Sequence, residues 1–273
     1  MTVASDPTTT RTAEDARIYR IVGGRRLSGE VRIGGAKNAA LPMLAATLLT
    51  AEPVVLNDVP DLADIADMIE ILRSVGADVE WNRDKRKVTV HAETIKTTDV
   101  PPVLVERMRA SFLVSGPLLS RCGEFNATRP GGCQLGARPV DVDVRGFRLM
   151  GAEVLASEAS ISAKAEALQG ARIFMDCPSH TGTENLLMAA TLAEGTMTII
   201  NASCEPEIVA LGGMLNRMGA RITGLGTPYI TVEGVARLRG VSETILPDRL
   251  EAGTYAVAAA ITGGRIKLEN GRA

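Results

Sequence analysis

AATLLTAEPVVLN, residues 45–57, recurs three more times along the chain. The copies are VSGPLLSRCGEFN at 114–126, AATLAEGTMTIIN at 189–201 and AAAITGGRIKLEN at 258–270. In each, a helix end made of small residues runs through a short turn into a strand that closes on asparagine. The closing residues Asn57, Asn126, Asn201 and Asn270 lie 69, 75 and 69 positions apart. Self-similarity at a near-fixed spacing marks a tandem architecture, here with a period longer than that of common solenoids.

Working outward, the residues after the first three asparagines carry helical periodicity. Leu62, Ile65, Ile69 and Leu72 make one apolar stripe, and Ile208, Leu211, Leu215 and Met218 repeat its spacing. Val140, Val144, Phe147 and Met150 form a weaker middle copy. Gly76, Gly151 and Gly219 then stand where a left-handed cap is expected, a conformation cheap only for glycine. Alternating strands follow, 77–81 with 87–91 and 221–223 with 229–232. The unit is therefore helix, strand, helix, strand, strand. Several such units, with helices inside and sheets outside, predict an α/β domain with pseudo-symmetry.

Two departures stand out. From asparagine to capping glycine is 19 residues in the first unit and 18 in the third, but 25 in the second. The surplus is RPGGCQLG, residues 129–136, and insertions in repeats map to loops that often carry function. The fourth unit stops three residues after Asn270, without a second helix or closing strands. The repeat thus predicts a complete three-unit domain at 37–247 that carries the cysteine loop. Residues 17–36 and 248–273 are expected to be strips of an incomplete second domain, and 1–16 a disordered tail.

Composition narrows the function. Of 273 residues, 30 are basic and 32 acidic, a formal charge of −2, which argues against a general nucleic-acid binder. Four Phe, three Tyr and one Trp make no stacking platform for bases. Four cysteines without a C-x-x-C pair suggest neither a zinc knuckle nor a disulfide framework. The uncharged run from Ala39 to Ala51 is too short to span a bilayer and contains Pro42. Residues 1–16 lack the apolar stretch of a signal peptide. A soluble, cytoplasmic protein is expected.

Several residues could carry chemistry. Cys133 lies among glycines with Arg129 and Arg138 nearby, a setting that favours a reactive thiolate, although a bystander cysteine is the alternative. Cys122 and Cys204 read as core, and Cys177 stays undecided. Gly34-Gly35-Ala36-Lys37-Asn38 precedes a helix, where free N–H groups and a lysine can bind an anion, or simply turn and cap. Lys37, Arg109 and Arg138 start equivalent or adjacent segments, so they could converge on phosphates or carboxylates. DCPSHTGTEN, residues 176–185, suits a polar ligand and a helix cap equally. His91 and His180 have no partner histidine at ligand spacing, so no metal site is expected.

GGAKNAALP (34–42), MRAS (108–111) and PGGCQLGARPVD (130–141) occur in that order, followed by AATLAEG (189–195) and LPDRLEAGT (246–254). Together they resemble the UDP-N-acetylglucosamine 1-carboxyvinyltransferases, enolpyruvyl transferases of the EPSP synthase superfamily, over nearly all of 19–270. The resemblance implies an inside-out α/β barrel, the enolpyruvyl transferase fold, with two domains of three units and an active site in the cleft between them. The related shikimate-pathway enzyme shares the fold but lacks the cysteine loop.

The resemblance also assigns roles. Lys37 and Asn38 would hold the phosphate and carboxylate region of phosphoenolpyruvate. Cys133 would add to phosphoenolpyruvate, act in proton transfer and be alkylated by fosfomycin. Arg109 would contact the sugar-nucleotide and phosphate region, and Arg138, Pro139, Val140, Asp141 and Val142 the uridine diphosphate. Cys177, Pro178, Ser179 and His180 match a further nucleotide-binding stretch, with SHTGT in place of the commoner SVGAT. Asp248 and Arg249 match the second crossover between domains. The implied reaction is addition of the sugar 3-hydroxyl to phosphoenolpyruvate followed by loss of phosphate, the first committed step of peptidoglycan synthesis. It needs no metal or other cofactor, and no nucleic-acid, membrane or obligate protein partner is implied. The family's general base would lie beyond Ala273, so this chain alone is expected to be inactive. The alternatives are a non-catalytic UDP-sugar-binding module or half of a split assembly.

Overall fold

Each of the three Gly-Ala pairs closes its helix in the same way. In the computed structural model, which describes residues 22–130 and 140–271, Gly76, Gly151 and Gly219 have φ of 109°, 88° and 108°. The amide of each glycine donates to a carbonyl three residues back, and the following alanine amide donates to one five back, all at 2.9–3.0 Å. This is the Schellman closure that the glycine spacing predicts.

The elements follow the repeat. Strand β1 (Ser28–Arg32) leads to helix α1 (Lys37–Ala46), β2 (Val54–Asn57), α2 (Ala63–Ser74), β3 (Asp78–Asn82) and β4 (Lys87–His91). The second unit holds α3 (Pro102–Val105), a 3-10 segment (Arg109–Val114), α4 (Ser115–Cys122), β5 (Glu124–Thr128), α5 (Asp141–Leu149), β6 (Glu153–Ala156) and β7 (Ser160–Lys164). The third holds β8 (Arg172–Phe174), α6 (His180–Ala190), β9 (Thr196–Ile200), α7 (Pro206–Arg217), β10 (Arg221–Thr223) and β11 (Tyr229–Glu233). Strand β12 (Ser242–Thr244), α8 (Arg249–Thr262) and β13 (Arg265–Glu269) complete the order.

The chain divides into two compact units, one running from Gly35 to Leu246 and the other joining the described residues up to Gly34 with those from Pro247 onward. In the larger unit the sheets are β12-β2-β4-β3, β5-β7-β6 and β8-β9-β11-β10. Their strands bury one face: β4, β5, β9 and β11 alternate buried and more exposed residues. Helix α1 buries every residue from Ala39 to Ala46, and α6 every residue from Gly182 to Ala190. Helices buried on all sides belong in a core. The large unit therefore has helices inside and sheets outside.

The asparagines that define the repeat have a structural task. Asn57 Nδ2 donates to Glu243 O at 3.1 Å, and Asn201 Nδ2 to Met175 O at 2.8 Å. Each ties its strand to a parallel neighbour, β12 or β8. Asn126 instead makes a parallel backbone bridge to Asp99. In the smaller unit β1 pairs with β13 in parallel, and Asn270 Nδ2 donates to Ile33 O at 3.1 Å. Helix α8 of this unit buries none of its residues.

Cys122 and Cys204 are exposed, not core. Cys122 is the last residue of α4, and Cys204 lies in the connection from β9 to α7. Both sit at element ends, where the chain turns outward rather than packing.

Candidate active site

Helices α4, α5 and α6 approach closely because small residues allow it. A Cβ on Gly116 of α4 would lie 2.5 Å from the Asn185 backbone oxygen of α6. A Cβ on Gly182 would lie 2.7 Å from Val142 of α5. This packing brings the start of α5, the turn from β8 into α6, and Arg109 around one cavity of about 1050 Å³.

The cavity gathers Arg109, Asp141, Val142, Cys177, Pro178, Ser179 and His180, all singled out in the sequence. Three separate chain segments thus converge. Among the described residues, Arg129, Arg145 and Arg148 also line it, with Asp141 and Asp176 as its acids. Arg145 pairs with Asp176 at 2.9 Å, and Arg148 donates to Val154 O at 2.9 Å. Four guanidinium groups against two carboxylates suit an anionic ligand. The first turn of α6 adds the positive end of a helix dipole. Ser179 serves as its cap, with Oγ accepting from Gly182 N at 3.1 Å.

Beneath the cavity lies a buried polar network. Asn185 Nδ2 donates to Asp143 Oδ1 and Ser115 Oγ, each at 2.8 Å, while its Oδ1 accepts from Gly116 N at 2.8 Å. Burial pushes the Asp143 carboxyl up to about 6, against the opposing effects of Asn185 and the Arg109 charge. Beside this, His180 Nδ1 sits 3.3 Å from Glu184 Oε1, whose carboxyl is only 1 % exposed; the pair is ionic when the imidazole is protonated and the carboxyl is not. Burial raises Glu184 to about 7, opposed by His180 and reinforced by Glu207 and Glu205. Burial pulls His180 down, but Glu184, Glu205 and Glu207 outweigh it and the net shift is upward.

Other candidates lie elsewhere. Lys37 and Asn38 begin α1 and do not line the cavity, and Lys37 Nζ pairs with Asp64 Oδ2 at 2.8 Å. Val140 is buried at the start of α5, in a small pocket with Arg109 and Asp143. Asp248 and Arg249 belong to the smaller unit, where Asp248 Oδ1 caps α8 by accepting from Leu250 N and Glu251 N. Cys133, Arg138 and Pro139 lie outside the described residues. Among the described residues, no group of three or more His, Cys, Asp or Glu is arranged to hold a metal ion. None of their helices is long and apolar enough to cross a membrane.

Asp143 was not singled out in the sequence, and Glu184 and Asn185 entered only as part of 176–185, a stretch that suits a polar ligand or a cap. The available signal was the run Thr183, Glu184 and Asn185 directly before the apolar stretch 186–190 of the same helix α6.

Architecture and site define an α/β protein of the enolpyruvyl transferase fold. The enolpyruvyl transferase NikO from Streptomyces tendae superposes with a TM-score of 0.74 at 24% identity, covering 85% of this chain and 55% of that one. An EPSP synthase from Acinetobacter baumannii gives 0.68 at 20% identity, covering 89% and 56%. More particularly, residues 21–273 match the family EPSP synthase (3-phosphoshikimate 1-carboxyvinyltransferase), and the chain belongs to that family. It is 50% identical over 251 residues to a UDP-N-acetylglucosamine 1-carboxyvinyltransferase of Coxiella burnetii, covering 92% of this chain. It is 47% identical over 244 residues to UDP-N-acetylglucosamine 1-carboxyvinyltransferase 1 of Caldanaerobacter subterraneus subsp. tengcongensis, covering 89%. The chain spans 58% of the length of each of these two relatives.

Proposed function

We propose that this chain carries the sugar-nucleotide part of a site that transfers the enolpyruvyl group of phosphoenolpyruvate to the 3-hydroxyl of UDP-N-acetylglucosamine, releasing phosphate, in cytoplasmic peptidoglycan synthesis, and that it does not suffice for the transfer alone. The observation that supports this most is the convergence of Arg109, Asp141, Val142 and residues 177–180 on one arginine-rich cavity. The names of relatives at 47–50% identity agree with it. Arg109 and the cavity's other arginines would meet the diphosphate, which bidentate guanidinium groups recognise well. Pro139, Val140, Asp141 and Val142 would complete the uridine diphosphate site with Arg138. Lys37 and Asn38 would hold phosphoenolpyruvate, and Asp248 and Arg249 would serve the second crossover.

In the reaction the sugar 3-hydroxyl gives its proton to a general base as its oxygen bonds to C2 of phosphoenolpyruvate and C3 gains a proton. The tetrahedral ketal then expels phosphate and loses a C3 proton, restoring the enol ether. Cations about the phosphate and carboxylate stabilise the charge of that intermediate. Cys133 is the thiol proposed to act in proton transfer and to add to phosphoenolpyruvate.

The test is mass spectrometry of the protein treated with fosfomycin in the presence of UDP-N-acetylglucosamine. Covalent modification of Cys133, dependent on the sugar nucleotide, is expected. An unmodified Cys133 would remove it from the mechanism.

A further inference from the structure

The reaction proposed above makes no use of Asp143, a carboxylate only 3 % exposed in the first turn of α5. Its surroundings leave it little freedom. Asn185, 1 % exposed, holds Oδ1 at 2.8 Å through Nδ2. The orientation of that amide is fixed from its other end, since Asn185 Oδ1 accepts from Gly116 N. A buried anion facing only a neutral amide is poorly compensated, and burial should then drive it out or neutralise it.

The compensating charge is Arg109. This arginine lines the small interior pocket with Asp143 and Asn185, and it also lines the large cavity. Its positive charge acts on the Asp143 carboxylate. On the cavity side, its NH2 lies 3.5 Å from Thr181 Oγ1 in the first turn of α6. Arg109 therefore borders both the interior pocket that holds this buried carboxylate and the space a ligand would fill.

We infer that Asp143, fixed by Asn185, is a positioning residue that anchors Arg109 from behind and presents its guanidinium to the diphosphate of the ligand. The inference rests on the reading that this cavity takes a sugar nucleotide. A purely structural role, in which Asp143 only joins α5 to α6, makes a different prediction about coupling. An anchor acting through Arg109 loses its effect once Arg109 is gone, whereas a fold-holding residue does not.

The test is a double-mutant cycle read by calorimetric titration with UDP-N-acetylglucosamine. It compares the unmodified protein, D143N, R109A and the double variant, with circular dichroism confirming the fold of each. Loss of the Asp143 charge, or of the guanidinium it acts on, predicts weakening of about tenfold or more for each single variant, and a double variant no weaker than R109A. If R109A weakens binding while D143N binds normally, the inference fails and the reading of the cavity stands. If D143N weakens binding equally in the R109A background, Asp143 acts through the fold and the inference fails. If the unmodified protein does not bind, or R109A binds normally, the reading of the cavity fails and takes the inference with it. Should D143N not fold, D143E carries the same cycle by keeping the charge but displacing it. Weaker binding is then expected only where Arg109 is present, and normal binding there overturns the inference.

Discussion

Glu184 and His180 face each other one turn apart on α6, with Glu205 and Glu207 of the α7 start adding negative charge. Because burial lifts Glu184 to about 7, the folded protein holds a proton that the unfolded chain releases near 4.5. For an acid with a raised folded pKa, stability falls as pH rises from the unfolded value through the folded one. Asp143, raised from 3.8 to about 6, contributes with the same sign. His180 also adds to the fall, because a histidine raised above 6.5 loses its stabilisation as pH rises through its folded pKa. Urea midpoints should therefore decrease from about pH 4.5 to about pH 7, and E184Q should flatten part of that decrease. A midpoint that rises over this interval, or an unchanged slope in E184Q, contradicts the assignment. These residues were hard to find in the sequence for a physical reason. An aspartate in a first helical turn reads as a dipole partner, and nothing local says that Asp143 points inward to Asn185, forty-two positions away.

At the scale of elements, helix stripes and caps were legible because both depend on local spacing. Glycine at the residue after a helix needs a left-handed φ wherever the chain then turns into a strand. Gly219 and Gly116 separate two ways in which glycine matters. Gly219 has φ 108° and no atom within 4 Å of an added Cβ, so G219A should cost only backbone strain, about 1–2 kcal/mol. Gly116 lies in α4 against Asn185, whose backbone O and Oδ1 would each sit 2.5 Å from an added Cβ. G116A should cost about 1–3 kcal/mol by overpacking and should also disturb the Asn185 network. Urea denaturation with nucleotide titration distinguishes them: G219A should keep binding, and G116A should weaken it. Equal effects on binding would contradict the placement of Asn185 beneath the cavity. The short parallel strands β8 and β12, three residues each, escaped the sequence reading. The equally short β10 was legible because its antiparallel partner β11 follows at once, whereas β8 and β12 pair in parallel with strands reached only through a crossover.

Across the whole molecule, the repeat made the large unit readable while hiding what breaks its symmetry. Four asparagine-closed strands were visible, but their pairing was not: β2 takes β12 as neighbour and β13 takes β1, each far away in sequence. The cavity arises in the same long-range way, from segments around residues 109, 141–148 and 173–181 that no local pattern connects. Its excess of arginine is a property of the assembled fold, since the chain as a whole carries a formal charge of −2. In the proposed function this cavity binds the diphosphate of a sugar nucleotide. Amide chemical-shift mapping of the protein titrated with UDP-N-acetylglucosamine tests it most directly. The account predicts that, among the described residues of the large unit, the largest shifts fall at Arg109, 141–148 and 173–181. Saturating shifts confined to another surface, such as the β10–β11 face around Asn216 and Thr231, or no shifts at all, would contradict it.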